Sequence, residues 1–171
     1  MRYIFENLNS NYDEQKGINF LKYTKWMDFI LRRSVEIGKV ELPICSIILD
    51  DRGRCIGRGV NRRNINKDPL GHAEIMALRQ ASLIKNDWRF NECIIITNLE
   101  PCTMCASVLI QARMGKVVFG AYDKKRGGLG GSIDLSKHKS SHHKMEIEGG
   151  ILEKECIEIL QLWFKKLRTQ K

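Results

Sequence analysis

The chain has 171 residues, of which 43% are hydrophobic, and its formal net charge is +9. This length suits one domain that buries roughly two-thirds of its unfolded surface, so folding does not require disulfide bonds. No segment approaches the roughly 20 apolar residues of a membrane span, and the polar N-terminus is not a secretory signal. We therefore expect a cytoplasmic protein that does not enter the membrane.

The first predicted element is a helix. Residues 1–18 are polar and indicate a loosely ordered extension, followed by a single domain at 19–171. Asn19 can cap a helix that ends near Gly38, because a short polar side chain favours a helix start and glycine favours a helix end. Its apolar positions repeat at near-helical spacing. They are Phe20, Met27, Leu31 and Val35.

A hairpin and a second helix follow. Apolar runs at 44–50 and 55–61 flank a tight turn at 51–53, which predicts two paired strands. A basic loop at 62–70 then leads into a helix over 72–84. A third strand is predicted at 92–98.

The second half of the chain continues the alternation of strands and helices. Pro101 stands where a helix would begin, a position that proline favours, and that helix extends over 102–113. A fourth strand is predicted at 116–122, and residues 123–144 form a segment rich in glycine, lysine and histidine with a short helix near 133–137. A short fifth strand lies within 145–150, and an amphipathic helix over 151–169 ends the chain.

This order of elements predicts an α/β fold. Connections that run from strand to helix to strand imply that part of the sheet is parallel. The run GGLGG at 127–131 is interpreted as a flexible loop near a site. A nucleotide-binding loop is disfavoured because no strong strand–glycine–helix unit surrounds it.

Three residues have the chemistry of zinc ligands. His72 stands at the start of one predicted helix, and Cys102 and Cys105 occupy the first turn of another. Catalytic zinc sites use three protein ligands and leave the fourth position to water. The two-residue gap lets both thiolates face one point, and the helix N-terminus favours their negative charge. The spacing therefore indicates one open zinc site per chain.

Glu74, two residues after His72, indicates catalysis. A carboxylate close to the metal can take a proton from water and later give it to a leaving group. Such a group must not itself bind the metal, and the H-x-E spacing fits that division of roles.

Other interpretations of these residues are open. The C-x-x-C could be a redox pair, His72 could be only a helix cap, and a structural site could take a fourth ligand from Cys55, Cys93 or another histidine. Cys45, Cys93 and Cys156 lie in apolar patterns and are expected to be buried thiols. The loop histidines are expected to contact phosphate or solvent rather than form a second metal site. They are His138, His142 and His143.

The motifs HAE at 72–74 and PCTMC at 101–105 carry a family resemblance. The chain resembles the zinc-dependent cytidine and deoxycytidylate deaminase superfamily, whose signature is H-x-E followed by P-C-x-x-C. Over about residues 20–169 it is similar to the bacterial tRNA-specific adenosine deaminases. The longer runs that carry this likeness are GVNRRNINKDPLGHAEIMALRQ, LEPCTMCASVLIQARMGKVVFGAYDKKRGG and EIEGGILEKEC.

The resemblance implies a three-layer fold with a five-stranded mixed sheet between helices, a homodimer, and hydrolytic deamination of adenosine to inosine at the wobble position of tRNA. It also implies that Asn61 binds the target base, that the backbone N–H of Ala73 lies in the base pocket, and that Asp123 lies near bound nucleotides. Three features depart from the family pattern: Asn98 replaces a threonine, His142 replaces an asparagine, and no proline follows Asn61-Arg62.

The positive charge bears on the choice of substrate. Three clusters of basic residues suggest a polyanion partner such as tRNA. A related enzyme that acts on a free base or nucleoside, such as guanine or cytosine, would not need them. A non-catalytic zinc module that binds RNA would not need Glu74. The clusters are Arg52, Arg54, Arg58, Arg62, Arg63 and Lys67, then Lys124, Lys125 and Arg126, then Lys165, Lys166, Arg168 and Lys171.

Overall fold

The computed structural model describes the backbone of residues 14–169 and the side chains of residues 21–169. Within this range the chain alternates between strands and helices. The elements are α1 (Glu14–Ile37), β1 (Cys45–Leu49), β2 (Cys55–Val60), α2 (Arg63–Asn66), α3 (Ala73–Lys85), β3 (Ile94–Leu99), α4 (Thr103–Gln111), β4 (Lys116–Ala121), a 3₁₀ turn (Leu135–Lys137), β5 (Glu146–Gly149) and α5 (Glu153–Thr169).

The strands form one mixed sheet in the order β2-β1-β3-β4-β5. β1 pairs antiparallel with both β2 and β3, while β3 pairs in parallel with β4, and β4 with β5. Each of the two parallel pairs is joined by a crossover that lies over a sheet face, as parallel pairing requires. The predicted five-stranded mixed sheet is therefore confirmed.

Helices cover both faces of this sheet. Met27 of α1 and Leu160 of α5 pack on one face. Ala77 of α3 and Leu109 of α4 pack with Phe119 on the other face. All five residues of β1 are buried, because this strand lies inside the sheet with a layer on each side. None of the described helices combines the length and apolar character needed to span a bilayer.

The prediction for the first helix is corrected in two respects. The helix begins at Glu14, so Asn19 lies within it and is not its cap. Val35 is 56% exposed, and the buried stripe instead includes Tyr23, Met27 and Ile30. The predicted extension at 1–18 lies mostly outside the described residues. The side chain of Phe20 and the terminal Lys171 also lie outside them.

The predicted basic loop at 62–70 contains the short helix α2. The buried carboxylate of Glu41 accepts hydrogen bonds from the backbone N–H groups of Asn64 and Ile65 at 2.8 and 3.2 Å. These two groups lie in the first turn of α2, where they have no partner within the helix. The cap comes from a residue more than twenty positions away, so the local sequence did not indicate this helix.

The glycine run at 127–131 is more ordered than predicted. Residues 127, 128 and 129 are buried, and their N–H groups donate to Asp123 O, Pro101 O and the Glu100 carboxylate. The interpretation as a flexible loop is therefore not supported, although the segment does lie beside the candidate site.

Two glycines of β2 set the position of α3. A Cβ at Gly57 would lie 2.5 Å from the carbonyl oxygen of Ala77, and a Cβ at Gly59 would overlap the carbonyl oxygen of Ala73. The helix backbone therefore rests directly on the strand. Because α3 begins next to Gly59, this contact fixes where the helix starts relative to the sheet.

We expect Gly59→Ala to destabilise the protein by about 1–3 kcal/mol, the usual cost of overpacking a filled interior. It should also weaken zinc binding, because the start of α3 must move. Urea unfolding and zinc titration measure both effects. Gly38→Ala is the control, since a Cβ there meets its nearest atom at 3.2 Å. Equal stability of the two variants would contradict this account of the α3 contact.

Candidate zinc centre and active site

The three predicted ligands lie at the starts of two helices. His72 is the N-cap residue of α3, and Cys102 is the N-cap residue of α4, with Cys105 one turn further on. The side chains of His72 and Cys102 make no capping hydrogen bond. His72 is therefore not a simple helix cap, and its ring is available to another partner.

The geometry of these side chains fits zinc. The Nδ1 atom of His72 lies 3.4 Å from Sγ of Cys105 and 3.7 Å from Sγ of Cys102. The three ligand atoms lie within 4.8 Å of one another. Tetrahedral zinc with ordinary Zn–N and Zn–S bond lengths separates N and S ligands by about 3.6 Å. His72, Cys102 and Cys105 could therefore bind one zinc ion without rearrangement.

The electrostatics distinguish these cysteines from the others. A hydrogen bond from Cys105, with a second from His72, lowers the pKa of Cys102 to about 4 despite its partial burial. The same bond raises the pKa of Cys105, which keeps the shared proton. By contrast, burial raises the pKa of Cys45 and Cys93 to about 11. Of these four thiols only Cys102 is held as the thiolate that metal binding needs, and Cys105 beside it would lose its proton on binding a metal.

Glu74 is buried beside this cluster. It is the second residue of α3 and only 4% exposed. Its pKa is raised to about 7, mainly by burial and also by the nearby charge of Cys102, while its backbone hydrogen bond and the charge of His72 act in the opposite direction. Removal from water disfavours the ionised form of a carboxyl group. The side chain therefore stands near the point at which it can both accept and return a proton at neutral pH.

A cavity of about 950 Å³ opens over the cluster. The predicted site residues His72, Glu74, Cys102, Asn61 and Asp123 all line it. Ala73 does not line the cavity but is fully buried between two residues that do. A second cavity of about 420 Å³ shares His72 and Cys102 with the first, so the two form one groove that passes over the cluster.

Asn61 and Asp123 both line the groove. Asn61 is 1% exposed, its backbone N–H donates to Ile44 O at 3.0 Å, and its Oδ1 accepts from Arg63 N at 3.1 Å. Among the described residues its Nδ2 has no hydrogen-bond acceptor. The Oδ1 atom of Asp123 accepts from the N–H groups of Lys125 and Arg126.

Part of the positive charge surrounds this groove. The lining includes one residue of the first cluster, all three of the second and one of the third. They are Arg63, Lys124, Lys125, Arg126 and Arg168. The sequence did not separate these from the other basic residues, since Arg54, for example, pairs with Asp50 at 2.7 Å and away from the groove.

The alternative metal arrangements are not formed within residues 21–169. One cluster of three or more potential ligands is present there, and it does not include Cys55, Cys93 or a further histidine. His138, His142 and His143 do not converge on one point. His143 instead interacts through Nε2 with Met114 O at 2.8 Å, and His138 with Ser140 Oγ at 2.7 Å.

Asn98, which departs from the family pattern, has a structural role. It is fully buried and does not line the groove. Its Oδ1 accepts from Cys45 N at 2.9 Å and its Nδ2 donates to Pro43 O at 2.8 Å. Residue 98 therefore supports the chain around Ile44, which lines the groove and also holds Asn61.

Comparison with known proteins agrees with this site. Residues 22–121 match the family described as the cytidine and deoxycytidylate deaminase zinc-binding region. The chain is 35% identical to a tRNA-specific adenosine deaminase of Haemophilus influenzae over 77% of this chain and 76% of that protein. It is also 35% identical to one of Bacillus subtilis over 78% of this chain and 82% of that protein.

Solved structures show the same relationship. A chain from a study of A-to-I editing by tRNA:A34 deaminases at the wobble position is 33% identical, with a TM-score of 0.76, and the match covers 80% of this chain and 99% of that one. A guanine deaminase from Nitrosomonas europaea is 19% identical with a TM-score of 0.64, over 80% of this chain and 81% of that one, and shares the fold.

An α/β sheet with a histidine and two cysteines at two helix starts defines a zinc-binding enzyme domain. The chain belongs to the cytidine and deoxycytidylate deaminase family and, within it, to the tRNA-specific adenosine deaminases. The predicted recognition, enzyme class and zinc cofactor are confirmed.

We expect one zinc ion per chain. Cys102→Ser or Cys105→Ser should remove both zinc and activity, because a hydroxyl is a far poorer zinc ligand than a thiolate. Cys55→Ser and Cys93→Ser should leave the zinc content unchanged. Metal analysis of the purified variants measures this, and loss of zinc from Cys55→Ser would contradict a three-ligand site.

Proposed function

We propose that this protein converts adenosine to inosine at the wobble position of a tRNA anticodon loop, in the cytoplasm and as a homodimer. The observation that carries the proposal is the zinc-ligand cluster beside buried Glu74 within a basic groove. The names of the relatives supply the substrate and the position.

Four residues at the groove carry the proposed chemistry. His72, Cys102 and Cys105 hold the zinc ion. Bound zinc supplies a water whose pKa falls from 15.7 to about 7. Glu74 takes a proton from the water that attacks C6 of adenine and gives it to the ring nitrogen N1. Glu74 then transfers the proton of the new C6 hydroxyl group to the amine, the C6–N bond breaks, and ammonia leaves as the carbonyl of inosine forms.

The base must reach Glu74 before this chemistry can occur. An enzyme that works on a base has to take that base out of its stack, which costs less in a loop than in a duplex. Asn61, whose Nδ2 has no partner among the described residues, can donate a hydrogen bond to the extruded adenine. The first N–H groups of α3, including that of Ala73, have no partner within the helix and can serve the same purpose.

The charge around the groove supports an RNA substrate rather than a free base. Contacts from lysine and arginine to phosphate supply affinity without reading the sequence. Asp123 shapes the turn that carries Lys124, Lys125 and Arg126 along the groove wall. A free guanine or cytosine carries no phosphate for these groups.

The homodimer rests on the family resemblance together with an exposed apolar surface. Three large apolar side chains at the end of α3 and just beyond it are more than half exposed. A second copy of the chain that covered them would remove this surface from water. The residues are Leu83, Ile84 and Trp88.

An anticodon stem-loop with adenosine at the wobble position should be converted to inosine, and Glu74→Ala should lower turnover by at least about 10²–10⁴-fold, the scale of a general acid/base. Zinc content and RNA affinity should be retained. Sequencing of the product RNA detects the conversion. Glu92→Ala is the control, since this carboxylate pairs with Lys85 away from the groove. Rapid release of ammonia from free guanine or cytosine, with the stem-loop unaltered, would overturn the proposal.

The affinity for the stem-loop should fall as salt rises, because each phosphate contact to a single strand contributes about 0.7 to the log–log slope. The double charge reversal Lys124→Glu and Lys125→Glu should flatten that slope by about 1.4 and raise KM. Zinc content should not change. Lys139→Glu with Lys144→Glu is the matched control, because both residues are exposed and neither lines the groove. Equal slopes for the two double variants would count against the proposed path of the RNA.

A further inference from the structure

Glu100 is a buried carboxylate that the proposed chemistry does not use. It is 2% exposed, directly follows β3, and lines the groove. Within the described residues it has no ion-pair partner. A buried charge is costly unless hydrogen bonds satisfy it. This one accepts three bonds from backbone N–H groups, of Asp123 at Oε2 and of Leu129 and Gly131 at Oε1, each at 2.9 Å.

The loop after β4 is shaped around this carboxylate. A Cβ at Gly127 or Gly131 would overlap the carboxylate of Glu100. Its three hydrogen bonds hold the carboxylate in place, so it cannot move aside as a free side chain would. The glycine run therefore encloses the carboxylate of Glu100 and not a bound phosphate. This explains why the run lies beside the site without being a nucleotide-binding loop.

The same loop leads to the basic wall of the groove. Asp123, whose backbone N–H donates to Glu100, holds the N–H groups of Lys125 and Arg126 through its own Oδ1. The carbonyl oxygen of Arg126 accepts from Thr103 N at 3.2 Å, and Gly127 bridges to Cys102. The turn at 123–126 is thus attached at one end to Glu100 and at the other to the start of α4.

We infer that Glu100 is a positioning residue for the RNA substrate. It holds the turn at 123–126 so that Asp123, Lys124 and Lys125 face the groove beside the zinc ligands. It acts through this turn and not by contact with the reacting base. The inference rests on the proposed function, because it concerns the same groove and the same substrate.

Two simpler roles for Glu100 predict different results. If its charge acted only through the electric field, its removal would make the basic groove more positive and would lower KM for RNA. If it only stabilised the fold, its removal would lower zinc content, kcat and thermal stability together. A positioning role predicts a raised KM with zinc and kcat retained.

Glu100→Gln separates these roles. A glutamine side chain has only one acceptor oxygen, so it can accept hydrogen bonds either from the N–H of Asp123 or from the N–H groups of Leu129 and Gly131. Its NH₂ group would then point at the remaining backbone N–H or N–H groups, and the hydrogen bonding there would be lost. KM for the anticodon stem-loop should rise by about 10- to 100-fold, the scale expected for losing one charge-assisted hydrogen bond to a phosphate. The kcat and the zinc content should stay close to those of the unmodified protein. At least one of the three backbone amides that donate to Glu100, those of Asp123, Leu129 and Gly131, should lose protection from hydrogen exchange. Glu148→Gln, on β5 and paired with Lys116, is the control.

An unchanged or lowered KM for Glu100→Gln, or a joint loss of zinc and kcat, would overturn the inference. If that variant does not fold, Gly127→Ala displaces the same loop while keeping the carboxylate, and it should raise KM in the same way. Failure of the unmodified protein to convert the stem-loop would instead reject the proposed function. Hydrogen exchange of the three amides would then still test whether Glu100 holds the loop.

Discussion

Three potential zinc ligands from two helix starts converge on one point, and this convergence requires a particular placement of both helices on the sheet. His72 at the start of α3 can approach Cys102 and Cys105 of α4 within 3.7 Å only if both helices begin at the same edge of the sheet. The parallel pairing of β3 and β4 places α4 across the sheet face. Because Gly59 of β2 has no side chain, α3 can lie close enough to the strand for its first residue to reach that edge. A change in the β3–β4 pairing or at Gly59 is therefore expected to move the zinc ligands, although neither feature contains a zinc ligand.

The same region contains three buried carboxyl groups, and they differ in how far hydrogen bonds offset the free energy of burying them. Three backbone N–H groups satisfy Glu100, and several donors of α2 and its surroundings satisfy Glu41. Among the described residues Glu74 has fewer donors, its own backbone and Cys105, and burial is the main cause that raises its pKa to about 7. A carboxyl group in this state costs stability when it ionises, yet it can exchange protons near neutral pH. The first two carboxylates therefore order the walls of the groove, and Glu74 is the carboxyl group to which the proposed function assigns proton transfer.

Local patterns predicted most elements of the fold. The apolar runs of β1 to β4 and the amphipathic period of α5 were each identified close to their observed bounds, because burial on one or two faces leaves a direct trace in the sequence. The predictions were wrong where contacts with residues distant in the sequence determine the local structure. α2 is capped by Glu41 from outside its own segment, and the GGLGG run is ordered by Glu100. Val35 matched the period of α1, but the sheet covers a stripe that does not include it.

The zinc site could be predicted from the amino-acid sequence, because His72, Cys102 and Cys105 are specific residue types at spacings that two helix starts bring into one cluster. The order of the strands and of the longer helices could be predicted as well. The folded structure was needed to show which basic residues line the groove and which are paired elsewhere, because exposure and distance depend on contacts between remote segments. It likewise decided that Asn98 supports the groove from beneath, and that Glu100 organises a loop more than twenty residues away. Such roles follow from packing across the sheet, which no local pattern encodes.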